Sequence, residues 1–193
     1  MTSSLSPTSR TEPLLELARA GDPRAWSVLV ERYQVLLLVK LELGMPGFLR
    51  RTSSPEDVLQ DVLLKVAQRL DTFRYDGEGS FLRWLIQIVR NEVKNLQRHW
   101  LAEQDHLKQA SGDVVDSLPG NLPTPSQALS RIHEQQHLLE SMRALSAEDQ
   151  DVLALHHFGD LSWEEIGDAI GCSRETAKRR YDRAIARMGR LMS

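Results

Sequence analysis

The chain has 193 residues, enough for one large domain or two small ones, and at 41% hydrophobic it can build at least one packed core. A net charge of −3 and a pI near 6.1 do not announce a nucleic-acid binder, so any basic surface must be local. The single cysteine, Cys172, excludes an internal disulfide and a four-cysteine metal site and fits a reducing, cytoplasmic setting.

Residues 1–11 read as a disordered tail, and the opening MTSSLSPTSR holds no apolar stretch of a secretion signal. Asp22-Pro23 offers an N-cap followed by proline at the first helical position, and Trp26, Leu29, Val30, Tyr33 and Leu37 continue at helical spacing. The apolar run Val35 to Val39 is too short to span a bilayer, so no membrane insertion is expected. Ser54-Pro55-Glu56-Asp57 repeats the cap, the proline and the acids of a first turn, opening a helix whose stripe is Leu59, Leu63, Val66 and Leu70. A third helix follows Gly79-Ser80, with Phe81, Leu85, Ile88, Val89, Val93 and Leu96 facing inward.

That pattern fails over residues 103–127, where Gly112, Pro119, Gly120, Pro123 and Pro125 interrupt a mainly acidic stretch. This segment reads as an interdomain linker. Helical signals resume at Ala128 with Ile132, Leu138, Leu139 and Leu145. Ser146 then caps a helix carrying Val152, Leu153 and Leu155, and Gly159-Asp160 breaks it. Ser162-Trp163-Glu164-Glu165 is a capping box that opens a short helix with Ile166, Ala169 and Ile170. Gly171 ends that helix as a glycine able to take positive φ. Ser173 caps a final helix to about Leu191. No segment alternates with period two, so the expected fold is all-α: two small helical domains, 12–102 and 128–193, joined by a flexible linker.

A short helix, a glycine turn and a longer helix form the helix-turn-helix pattern. On the second helix Ala177, Tyr181, Ala184 and Met188 share one face, suited to packing on Ile166 and Ile170. Glu175, Arg179, Asp182, Arg183 and Arg190 lie roughly opposite, with Thr176 and Lys178 on the flanks. Such a division of an apolar back from a front of long polar donors is what major-groove reading requires. Glu148 to Asp168 holds seven acids and no Lys or Arg, whereas Ser173 to Arg190 holds seven Lys or Arg and two acids. The near-neutral total thus conceals a basic terminal helix, although an ordinary solvated helix face has the same composition.

The stretch Leu145-SAEDQDVLALHHFGDLSWEEIGDAIGCSRETAKRRYDRAIARM resembles region 4 of sigma-70 factors of the small extracytoplasmic-function class. The resemblance implies that Ser173, Arg174, Glu175, Thr176, Lys178, Arg179, Arg180 and Arg183 read the minus-35 promoter element. Ser54-PEDVLQDVLLKVAQRLDTFR is similar to the region 2.2 helix, which implies that Asp57, Gln60 and Asp61 dock on core RNA polymerase. Gly79-SFLRWLIQIVRNEVKNLQRHW is similar to regions 2.3 and 2.4, which melt and recognise the minus-10 element. That role would fall on Phe81, Arg83, Trp84, Arg90, Asn91, Lys94, Asn95, Arg98 and Trp100. Aromatic platforms beside Arg and Lys suit extruded bases and their backbone, but Phe81 and Trp84 at helical spacing suit a core equally.

The family implies a non-enzymatic transcription initiation factor in the cytoplasm, with no cofactor. Its partners would be the clamp helices of the largest polymerase subunit, the flap of the second subunit, promoter DNA and an anti-sigma factor. The alternative is a one-component helix-turn-helix regulator binding duplex DNA as a dimer, and a third reading is a protein-binding helical module. His133 and His137, four apart, lack a third metal ligand at recognisable spacing, His156-His157 reads similarly, and no metal site is expected. Cys172 reads as a small apolar filler, with redox sensing as the other option. The acids Glu164-Glu165 are accounted for by the capping box rather than by acid–base catalysis.

Overall fold

The computed structural model describes residues 11–77, 79–110, 136–159 and 161–191, with backbone alone at 106–110, 136–138 and 191. Residues 1–10 of the expected tail, His133 and the heart of the expected linker, 111–127, lie outside the described residues; Thr11, expected in that tail, instead opens the first helix, because its side chain is buried with Oγ1 3.2 Å from the Tyr33 hydroxyl. Among those described, every regular element is helical, in agreement with the all-α expectation.

Helix α1 spans Thr11–Arg19 and α2 Pro23–Gly44. Asp22 caps α2, its carboxylate accepting from the backbone N–H of Arg24 at 2.8 Å and of Ala25 at 3.4 Å, with Pro23 in the first turn. A cap of this kind contributes about 1 kcal/mol. From Leu36 to Leu41 every residue of α2 is buried. A helix buried on all sides must be covered on all sides. Helices α1, α3 (Pro55–Arg69) and α4 (Ser80–Ala110) pack against α2, and so do α5 (Gln136–Arg143) and α6 (Ala147–Phe158) from the C-terminal half. The apolar run that is too short for a bilayer is therefore the shared spine of both halves.

Ser54 caps α3, accepting from the Asp57 backbone N–H at 3.1 Å. Val58, Leu59, Val62 and Val66 are its buried stripe. Arg19 of α1 donates from Nε to the Leu70 carbonyl at 3.1 Å and from Nη2 to the Phe73 carbonyl, tying α1 to the segment that follows α3. Helix α4 begins where Ser80 Oγ donates to the Gly77 carbonyl at 2.7 Å and accepts from the Asp76 N–H at 3.2 Å. It then runs to Ala110, eight residues past the expected domain edge at 102. The reason is local: residues 103–110 are mostly good helix formers, and the first glycine comes at Gly112.

In the C-terminal half, Ser146 caps α6 by accepting from the Asp149 N–H at 3.3 Å. Helix α7 (Trp163–Ile170) opens on the expected capping box, with Glu165 N–H to Ser162 Oγ at 3.3 Å and Ser162 N–H to a Glu165 carboxylate oxygen at 2.8 Å. Gly171 ends it at φ 71°. Gly167 matters as much: a Cβ there would lie 2.7 Å from the Cys172 carbonyl oxygen, so its bareness lets the turn fold back over α7. Ser173 then caps α8 (Arg174–Leu191), accepting from the Thr176 N–H at 3.3 Å.

Candidate nucleic-acid interface

On α8 the back and front separate as expected. Ala177 and Ala184 are fully buried, with Tyr181, Ile185 and Met188 packed at the edge of the core. Tyr181 meets Trp163 of α7 at 5.2 Å and His156 of α6 at 4.5 Å between ring centroids, and His156 stacks on Trp163 at 4.6 Å. This cluster fixes the angle at which α8 leaves the turn, and it accounts for His156 and His157 without a metal. Burial and the neighbouring His156 lower the pKa of His157, which keeps its ring neutral beside the Tyr181 hydroxyl at 3.4 Å.

Ser173, Glu175, Lys178 and Arg179 are exposed, while Thr176 and Arg180 are half-buried. Arg179 makes a 3.5 Å contact with Thr176 Oγ1, and among the described residues it forms no ion pair with Glu175. Its guanidinium is thus available in front of the helix. Arg174 pairs with Glu164 at 3.1 Å on the open surface, a contact of little energy. Arg183 behaves differently from the expectation. It lies 3.6 Å from the fully buried Asp149, which Arg187 also grips, so its charge is directed back onto α6. A carboxylate with no solvent must be neutralised nearby, and that requirement recruits Arg183.

On α4 the residues Arg83, Arg90, Asn91, Lys94 and Arg98 are exposed and recur on one face, with Asn95 half-buried at its flank. Asn91, Lys94, Asn95 and Arg98 line an open groove of about 590 Å³. Arg69 at the end of α3, Gln97 and Leu101 complete its wall, none of which sequence reasoning singled out. Leu101, 55% exposed, could have been found as an apolar residue outside the core stripe.

The aromatics depart from the expected platform. Phe81 is 2% exposed, wedged edge-on to Tyr33 at 5.5 Å and Phe73 at 5.3 Å. It belongs to the core because its position falls on the inward side of α4. Trp84 is half-buried and lies against Phe73 at 4.9 Å, at the border between the core and the basic stripe. Trp100 is on the far side of α4, its ring 4.4 Å from Phe48. Of the three, Trp84 alone borders the basic stripe.

The third group lies on α3. Asp57, Gln60 and Asp61 are exposed, and Asp57 also accepts from Ser54 Oγ at 2.7 Å. Leu64, 58% exposed, sits on the same face one turn on. It escaped notice because its neighbour Leu63 fits the expected stripe.

Residues 29–100 match the family model described as Sigma-70 region 2, and residues 141–188 match Sigma-70, region 4. The chain is similar to the ECF RNA polymerase sigma factor BldN of Streptomyces coelicolor, 25% identical over 187 residues that cover 97% of this chain and 67% of the relative. It is also similar to the ECF RNA polymerase sigma-E factor of Escherichia coli K12, 28% identical over 181 residues, 89% of this chain and 88% of that one. Among solved structures it resembles that of CnrH in complex with the cytosolic domain of CnrY, with a TM-score of 0.57, 23% identity, and 93% and 94% of the two chains covered. This last likeness is one of fold.

Proposed function

This chain belongs to the sigma-70 family, as a sigma factor of the extracytoplasmic-function class that directs promoter-specific transcription initiation, and we propose how its residues divide that work. Residues 12–102, extended by the rest of α4, form the unit that docks on core RNA polymerase and handles the minus-10 element. Residues 128–193 form the unit that reads the minus-35 element, and 103–127 contain the join. The factor works in the cytoplasm as a non-enzymatic subunit.

Asp57, Gln60 and Asp61, with Leu64 added, dock on the clamp helices of the largest polymerase subunit. Their acids and exposed leucine stand on a helix whose packing stripe is already occupied. Arg83, Arg90, Asn91, Lys94, Asn95 and Arg98 follow the minus-10 strand, and Trp84 is the aromatic placed to stack on an extruded base. Ser173, Glu175, Thr176, Lys178, Arg179 and Arg180 enter the minus-35 major groove, with Arg174 at its edge. The flap of the second polymerase subunit and an anti-sigma factor are the further partners.

The observation that carries this reading is the presence, on one chain, of an exposed acidic face on α3, a basic stripe on α4 and a helix-turn-helix. A one-component dimeric regulator would need a ligand or dimerisation domain in the N-terminal half, which region 2 occupies instead. The test is reconstitution. Adding the protein to core RNA polymerase should give co-elution and a transcript from cognate promoters only. Symmetric dimeric binding to duplex DNA without polymerase would point to the regulator instead.

A further inference from the structure

An acid lies in the middle of the basic stretch of α4, and it faces inward. Glu92 follows Asn91 and stands two residues before Lys94, yet it is 6% exposed and shares the buried side of the helix with Ile88, Val89 and Val93. A carboxylate taken out of water needs a cation close by. Lys65 of α3 supplies it, donating from Nζ to Glu92 Oε2. Lys65 is itself half-buried, next to the exposed Leu64 and one turn beyond Asp61. One turn further on, Arg69 joins Asn91, Lys94 and Asn95 in lining the groove that α3 and α4 share. A buried ion pair thus ties the helix of the acidic face to the helix of the basic stripe.

Such a pair adds little net stability, because desolvation offsets the attraction. Apolar side chains would hold α3 on α4 as firmly, and Val62 and Val66 of α3 are already buried. Apolar contact has no direction, however. A buried carboxylate and its ammonium must meet, and they meet at one rotation of α4 about its axis. Side chains on a helix surface stand about 5–6 Å from that axis, so a rotation of about 10° moves them by about 1 Å. A misplacement of about 1 Å caused by a remote contact is enough to slow an aligned step roughly a hundred-fold.

We propose that Lys65 and Glu92 are a positioning pair for promoter opening. They fix the rotation of α4 on α3, so that Asn91, Lys94 and Asn95 face the minus-10 strand together with Arg69 while α3 is docked on polymerase. Neither member touches nucleic acid in this role: Glu92 is buried, and it holds the Lys65 ammonium. The proposal rests on the reading of α3 as the polymerase face and of the α4 stripe as the minus-10 face.

The experiment uses the full chain with core RNA polymerase and a cognate promoter. The decisive variant is the double replacement Lys65→Met/Glu92→Met. It keeps good helix formers in both helices and removes both charges at once, a change that is often neutral or stabilising. Its melting temperature should fall by no more than about 4 °C, and its association with core polymerase should stay within about two-fold of the parent. The rate of promoter opening, followed by permanganate reactivity of the minus-10 strand, should drop at least roughly ten-fold. Lys65→Arg, which keeps the ion pair, should open the promoter within about three-fold of the parent rate. Glu92→Gln and Lys65→Met should each slow opening as the double variant does.

Parental opening by the double variant overturns the proposal. So does a loss of core association in proportion to the loss of opening, which would make the pair a structural support. Slow opening in Lys65→Met beside parental opening in Glu92→Gln also overturns it, since Lys65 would then act on DNA directly. A parent protein that yields no promoter-dependent transcript overturns the functional reading and the proposal with it. An active parent beside an equally active double variant overturns the proposal alone.

Discussion

Asp149 and Arg187 meet across the C-terminal unit, 38 residues apart in sequence, the carboxylate without solvent exposure and the guanidinium side chain 44% exposed. Arg183 approaches the other oxygen at 3.6 Å. One buried acid thus anchors the middle of the recognition helix to the first turn of α6. Asp149→Ala should remove that anchor. Because both arginines keep about half their surface in water, the loss should fall below the ~3–5 kcal/mol of a fully buried broken pair, at about 1–2 kcal/mol. Denaturant titration of the full chain measures it, and an unchanged midpoint would show the contact to be idle.

The same relationship separates two arginines that sequence places together. Arg179→Ala should reduce minus-35 binding by relaxing preference at one base position, at roughly 1–3 kcal/mol of discrimination. Arg183→Ala should act mainly through stability. A randomised upstream-element library read by transcription distinguishes them. If both variants lost affinity equally for every sequence, with the log–log salt slope reduced by about 0.9 each, both would be phosphate contacts.

On α3, Asp61→Arg and Leu64→Ala should each weaken association with core polymerase while leaving the melting temperature nearly unchanged. Both side chains are exposed, and surface changes of this kind usually stay within about 0.5 kcal/mol in stability. Co-elution and thermal melting on the same preparations decide the matter. A large drop in melting temperature with normal association would make the face structural.

Phe81→Ala should be severe for the fold, about 3–5 kcal/mol, because it empties a site enclosed by Tyr33, Phe73 and Trp84. Trp84→Ala should cost less stability and lose more promoter melting, read as permanganate reactivity of the minus-10 strand. The reverse ranking would restore Phe81 as the stacking residue.

Gly167→Ala should destabilise more than Gly171→Ala, although alanine is the better helix former by about 1 kcal/mol. The Gly167 methyl would meet backbone at 2.7 Å, whereas Gly171 faces open space and carries only the strain of φ 71°, of order 1–2 kcal/mol. Thermal melts of the two variants provide the comparison.

Local chemistry made most helix starts readable. Asp22, Ser54, Ser146, Ser162 and Ser173 cap where hydrogen bonding requires, since a cap depends only on the next few residues. The basic front and alanine back of α8 were equally legible, because helical periodicity assigns faces without reference to partners. The resemblance to regions 2 and 4 drew on the same local patterns.

Other features depend on what lies across the contact. Phe81 and Trp84 are near neighbours on one helix, and only the positions of Tyr33 and Phe73 make the first core and the second a border residue. Gly167 looks like a helix defect until the 172–174 backbone crosses it. Arg183 and Arg179 share a face, yet a buried carboxylate on another helix claims one of them. Periodicity shows that a face is apolar or charged but not what will cover it. The buried run from Leu36 to Leu41, and the grip of Asp151 on Lys40 and Arg90, arise because α2 is enclosed from both sides by helices distant in the chain. Burial and charge pairing are properties of that enclosure, set by contacts more than a hundred residues apart for Lys40 and Asp151, with |i−j| of 111.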